Sequence, residues 1–374
     1  MNSLIAALEL PDPPRTGVRS LADLEHSALA YNVPVEDVLL IAVNLFGISS
    51  QHRERHRARV NLRLMRDPAR PWQVIVPLNR PASPFVLRGE ELSVGGTAVA
   101  QVERIDADEA VGGYFRNGGR AVTLNPNARS RCVGCAFCPN TLEAAADPRM
   151  GEERALNELL VALAEAHPRK NLGELTEVTV STGCFEREQS AVDHLIALRS
   201  ALGQAGVSSV RIGLLTSVLR SDEAFALLAQ EAAPFVLRLT AECFTRRPVM
   251  LKSTKADLLP RQMPGLLARA RRAGLETSYT YIVGLDPVAD MVEGVAALAE
   301  HVSAFPNFQV FQAHNVLMAG LRVPGAEVLG FYLAARVAIE KVMRPTGLLP
   351  VGWECYRPLW YFTFAGEALS DADR

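Results

Sequence analysis

Cys132-Val133-Gly134-Cys135-Ala136-Phe137-Cys138 gathers three thiols within seven residues, separated by a glycine and small side chains, so all three can close around one soft metal centre. Thiolates suit iron-sulfur clusters, Zn(II) or Cu(I), and the ligand count separates these options. Structural zinc takes four ligands. The other cysteines, Cys184, Cys243 and Cys355, are far apart and form no second CxxC, so zinc would need a remote fourth ligand. Three local thiols instead suit a 4Fe-4S cluster with one iron open to a small molecule. A redox dithiol uses only two cysteines and leaves the third unexplained.

The elements that must hold this loop are readable from periodicity. From about Arg120, strands alternate with amphipathic helices, the pattern of parallel βα units. Ala121 to Leu124 is the first expected strand, and the cysteine loop starts a few residues after it. Further strands are expected at Glu177 to Ser181, Val210 to Leu215, Phe235 to Thr240, Ser278 to Val283 and Phe308 to Gln312. Helices are expected at Glu153 to Ala166, Ala191 to Leu202, Asp222 to Gln230, Pro264 to Ala273 and Met291 to His301. Six such units predict an α/β fold: a partial (β/α)6 TIM-like barrel whose chemistry lies at the C-terminal ends of its strands.

The N-terminal third reads differently. Ser20 can cap a helix running toward Tyr31, and Val35 to Phe46 repeats apolar residues at helical spacing before a Gly47 stop. Short strand-like runs follow at Val60 to Met65, Trp72 to Val76, Phe85 to Leu87, and Leu92 to Val102, the last broken by Gly95-Gly96. The expected division is a smaller N-terminal α+β domain over 1–119, the barrel over 120–320, and a C-terminal helix from Glu327 to Met343 with an aromatic-rich cap over 321–374.

With its CxxC ending of Cys135-Ala136-Phe137-Cys138, the loop resembles that of the radical S-adenosylmethionine (SAM) superfamily, in which three cysteines hold a 4Fe-4S cluster and SAM binds its fourth iron. Phe137 stands where that family has an aromatic residue whose backbone faces adenine. The first spacing departs from the family norm of three residues, since only Val133 and Gly134 separate Cys132 from Cys135; Gly134 can supply the backbone angles a shorter loop needs. The resemblance, over roughly residues 120 to 320, implies Cys132, Cys135 and Cys138 as metal ligands. It also implies cofactor contacts at the strand ends. Ser181, Thr182 and Gly183 stand where the family holds SAM's amino group, although its acidic residue is absent. Thr240 and Glu242 end the fourth strand, and Lys252 or Arg238 could neutralise the SAM carboxylate. Ile282 and Gly284 resemble the segment flanking adenine, and Gln312 ends the sixth strand with polar reach toward adenine or substrate. Cys355 or Cys184 could donate a hydrogen atom to a substrate radical. The implied partners are a small-molecule substrate and a reducing protein such as flavodoxin or ferredoxin, with oxygen-sensitive chemistry.

Composition narrows the setting. A net charge of -2 over 374 residues argues against a general nucleic-acid binder. The basic run Gln51 to Arg59 nevertheless motivates a radical SAM RNA modifier as an alternative, and a zinc-stabilised binding protein is the alternative of another class. No stretch reaches the roughly 18 apolar residues of a membrane span. Met1 to Leu10 lacks a signal-peptide pattern, and clustered thiols then imply a reducing cytoplasm.

Overall fold

The computed structural model describes residues 17–51, 57–78, 80, 82–107, 112–125, 134–138, 155–181, 185–352, 355 and 357–370. These fall into two compact units. One joins residues 1–108 to 282–296 and 307–374; the other comprises 109–281 and 297–306.

In the first unit, Leu21–Tyr31 begins at a capping box in which the Ser20 hydroxyl accepts from the Asp23 amide and the Asp23 carboxylate accepts from the Ser20 amide. Helix Val35–Phe46 stops at Gly47, whose φ of +70° is left-handed and where a β-carbon would come within 2.5 Å of the Pro77 carbonyl oxygen. Five strands follow: β1 (Arg57–Leu64), β2 (Asp67–Pro77), β3 (Phe85–Arg88), β4 (Glu91–Val94) and β5 (Thr97–Ala107). They pair antiparallel in the order β2-β1-β5-β4-β3. Gly95 and Gly96, both at positive φ, make the two-residue turn between β4 and β5.

The second unit opens with β6 (Gly112–Arg116) and β7 (Ala121–Asn125), and continues through β8 (Glu177–Val180), β9 (Arg211–Thr216), β10 (Phe235–Glu242) and β11 (Glu276–Val283). Helices Leu156–Ala166, Glu188–Gln204, Asp222–Glu231 and Met263–Arg272 lie between these strands in sequence. β12 (Asn307–Val310) and the last two residues of β11 are grouped with the first unit, and the sheet order is β12-β11-β10-β9-β8-β7-β6.

One expectation is corrected here. A partial (β/α)6 TIM-like barrel is not what forms: the sheet is mixed and has seven strands among the described residues, because Gly112–Arg116 joins it antiparallel to β7. Asn117, Gly118 and Gly119, all at positive φ, fold the chain back into this hairpin. Residues of the expected N-terminal α+β domain are grouped in one compact unit with 282–296 and 307–374. No single helix among the described residues is long and apolar enough to cross a membrane.

What joins those segments is a buried ion pair. Asp37, on helix Val35–Phe46, is fully buried and accepts hydrogen bonds from the Tyr361, Phe362 and Thr363 amides at 2.6, 3.1 and 3.3 Å. Its Oδ2 lies 3.2 Å from Arg336 Nη1, on helix Leu329–Met343. Burial pushes this carboxyl above its ordinary value, while Arg336 and the Tyr361 and Phe362 amides pull the other way. Removing the acid leaves Arg336 buried without this partner, so Asp37→Ala should destabilise the protein by about 3–5 kcal/mol. Loss of the Ser20 cap in Ser20→Ala should cost only about 1 kcal/mol. Urea unfolding followed by tryptophan fluorescence checks both, because Trp72 and Trp360 belong to this unit.

Candidate functional site

A parallel sheet covered on both faces usually reads as continuous hydrophobic runs. The strands of the second unit do not. Cα partners across β8 to β11 bring Glu177 beside Arg211, Thr179 beside Gly213, Arg238 beside Ser278, and Thr240 beside Thr280. All but Gly213 are polar, and Glu177, Thr179, Arg238, Ser278, Thr240 and Thr280 are buried.

Charge gathers near the start of the strands. Glu177 lies 3.2 Å from Arg238 and 3.7 Å from Arg116, and it also pairs with Arg211 and accepts from the Thr179 hydroxyl. Burial would push this carboxyl up, but the Arg238, Arg116 and Arg211 guanidiniums hold it well below the usual carboxylate range. Gly213 makes the arrangement possible, because a β-carbon there would collide with Arg238 Nη1 and crowd Thr179 Oγ1.

Hydroxyls replace charge toward the C-terminal ends. Ser217 and Thr240 share a short hydrogen bond, while Thr280 Oγ1 is buried with no hydrogen-bond partner among the described residues. β10 then bulges, so that Glu242 rather than Ala241 pairs with Tyr281, and Glu242 adopts a left-handed φ of +62°. The Glu242 carboxylate takes up Lys255 Nζ at 3.2 Å, with both residues buried. Arg247, also buried, donates to the carbonyls of Ala241, Cys243 and Lys255 and ties this turn together. Phe244 stacks on Tyr281 with ring centroids 4.9 Å apart.

The described part of the thiol loop docks on the same turn. The Ala136 amide donates to the Met250 carbonyl at 2.9 Å, and the Cys138 amide donates to Cys135 O at 3.1 Å. Gly134 sits at φ +103°, and a β-carbon there would come within 3.2 Å of Lys252 Cβ. Cys135 and Phe137 are buried, Cys138 is half-buried, and neither cysteine is in a disulfide.

Cys135, Phe137, Cys138, Ser181, Thr240, Glu242 and Lys252 therefore belong to one unit. Cys132, Thr182, Gly183 and Cys184 lie outside the described residues. Ile282, Gly284, Gln312 and Cys355 are grouped with the other unit, where packing and hydrogen bonding occupy three of them. Gln312 donates to Ile75 O and Asn44 Oδ1; Gly284 is pressed against Phe311 and the Tyr332 hydroxyl; Cys355 Sγ donates to Phe308 O at 3.6 Å. Arg238, expected to neutralise a ligand carboxylate, is engaged with Glu177. Lys255 and the role of Glu177 escaped sequence reading. The available signal was a charged residue inside strands as apolar as Glu177-Val178-Thr179-Val180 and Phe235-Val236-Leu237-Arg238.

Because the folded-state carboxyl of Glu177 titrates below its ordinary value of 4.5, its stabilisation is fully present above that value and is lost as pH falls below it. Glu177→Gln should cost about 3–5 kcal/mol at pH 7, since three arginines are left around a neutral group. It should also flatten the loss of stability below about pH 4.5. Urea unfolding of both proteins across pH 3 to 7, on the order of one pH unit apart, reads both effects.

No protein-family model matches this sequence, and no curated protein matches it.

Proposed function

We propose that this chain is a radical SAM enzyme that holds a 4Fe-4S cluster on Cys132, Cys135 and Cys138 and acts on a small metabolite in a reducing cytoplasm. The observation that carries this reading is the setting of the thiol loop. It follows β7, and its backbone docks on the segment that follows β10, where Glu242 pairs with Lys255 and Lys252 lies against Gly134.

The donor set fits such a cluster. Cys135 and Cys138, neither in a disulfide, bracket a hydrogen-bonded turn, and Gly134 gives the loop a left-handed bend against Lys252 that a side chain would crowd. Bound there and reduced by a partner such as flavodoxin or ferredoxin, a 4Fe-4S cluster supplies the electron that cleaves SAM and releases a 5′-deoxyadenosyl radical for hydrogen abstraction.

The chain's own residues then have distinct tasks. Lys252, half-buried beside Gly134, is the cation for a ligand carboxylate. Glu242, paired with Lys255, is the acceptor for an ammonium or a ribose hydroxyl. Ser217, Thr240 and Thr280 offer uncharged donors and acceptors in a buried row, which orients a polar ligand without adding net charge. The apolar residues beneath them keep water from a reactive intermediate.

Anaerobic reconstitution with iron and sulfide, reduction with dithionite, and assay for 5′-deoxyadenosine from SAM test this function. The expected outcome is a brown protein with four irons per chain that forms 5′-deoxyadenosine. Cys132→Ala, Cys135→Ala and Cys138→Ala should each abolish cleavage, whereas Cys184→Ala, Cys243→Ala and Cys355→Ala keep the cluster. Zinc without iron, and no SAM cleavage, would replace this reading with a structural metal site.

A further inference from the structure

The Cys138 amide donates to the Cys135 carbonyl at 3.1 Å, so residues 135–138 close a four-residue turn. A turn of this kind holds its first and last Cα atoms within about 7 Å. Disulfides span Cα separations of about 4.4–6.8 Å, so the backbone already sets these two cysteines near the separation that a sulfur–sulfur bond needs. The turn is also held from outside itself. The Ala136 amide donates to the Met250 carbonyl at 2.9 Å, and the Phe137 side chain is buried. Closing a bond across a turn that is already formed gives up little chain freedom.

Access to the two sulfurs differs. Cys138 is half-buried and Cys135 is buried. An incoming small disulfide therefore meets Cys138 first, and Cys135 is placed to displace it. Cys243 and Cys355, the other cysteines among the described residues, are both buried and neither belongs to a CxxC.

We propose that Cys135 and Cys138 are a site of reversible oxidation, a dithiol that a small disulfide such as oxidised glutathione converts to a Cys135–Cys138 disulfide. The Cys138 thiolate attacks one sulfur of the small disulfide, whose sulfur–sulfur bond breaks and expels one thiolate. The Cys135 thiolate then attacks the Cys138 sulfur of the mixed disulfide and expels the second. Two protein thiols are oxidised, one small disulfide is reduced to two thiols, and those thiols carry away the two protons. Regulation of the candidate site follows, because the oxidised loop has lost two of its three cluster ligands. That consequence rests on the proposed function, whereas the exchange itself does not.

Incubation of the metal-free full chain with oxidised glutathione, alkylation of the remaining thiols and peptide mass spectrometry test it. The expected product is one Cys135–Cys138 disulfide, formed equally in Cys132→Ala, while Cys135→Ala stops at a glutathione adduct on Cys138. Iron uptake during anaerobic reconstitution should be lost in the oxidised protein when no thiol reductant is added, and dithiothreitol should restore it. Three results in the parent protein would overturn the proposal: a lasting glutathione adduct on Cys138, a disulfide through Cys132 as the main product, or thiols that all remain reduced. The parent protein alone decides this, even if the variants fail to fold. Undiminished iron uptake by the oxidised protein would overturn the regulation. Reduced protein that takes up no iron, yet forms the disulfide, would sink the cluster reading and leave this assignment standing.

Discussion

A carboxylate sealed inside a sheet cannot remain ionised alone, and the second unit is organised around satisfying one. Glu177 opens β8, and the arginines that meet it come from β6, β9 and β10. Four strands thus converge on a single anion. A one-residue slip of β10 would turn Arg238 to the opposite face and leave both charges exposed to an apolar environment. The ion cluster therefore sets register, at the expense of requiring every partner at once. It also explains Gly213, the position where the sheet makes room for a long side chain instead of contributing one.

Fixing the strands at their starts positions what lies at their ends. Thr240 and Thr280 are register partners, and Ser217 meets Thr240 from the loop after β9. The polar face thus changes character along its length, from paired charge to hydroxyls and then to the Glu242–Lys255 pair at the bulge. Hydroxyls bind a polar ligand without demanding a counter-charge, while the ion pair offers one strong, oriented acceptor. The radical reaction proposed above would benefit from this division, since charge is kept in defined places.

Much of the local structure was legible. Helix Val35–Phe46 has the expected bounds, Asp222–Glu231 extends the expected helix by one residue, and the strands from Ala121 to Val283 lie within two residues of expectation. Periodicity and stop signals act over a few residues, and so does the information that encodes these elements. The illegible parts are non-local. β6 depends on three consecutive positive φ angles, two of them at glycines that resemble a loop. Pairing Asp37 with Arg336, or Glu177 with Arg116, Arg211 and Arg238, is decided by packing between segments far apart in sequence. At the candidate site, the sequence singles out Cys135, Cys138, Glu242 and Lys252, which fall in one unit; the Glu242–Lys255 pair is not legible, because a lysine in a polar segment gives no sign that a bulge will turn Glu242 toward it. Gln312 misled for a related reason, as its polar side chain at a strand end ties β2 and helix Val35–Phe46 instead.

The discontinuous unit has a consequence for the order in which the protein is made. Asp37 emerges from the ribosome early, and the Tyr361 and Phe362 amides it binds are 324 and 325 residues further along. At about 5–20 residues per second, tens of seconds of synthesis separate them. During that interval the carboxylate stays hydrated, and the apolar flank of its helix, including Val38, Leu39 and Ile41, waits for partners. Residues 109–281, by contrast, carry nearly all of their own unit in one continuous stretch. Of the two units, the one whose synthesis starts first is therefore the one whose assembly ends last.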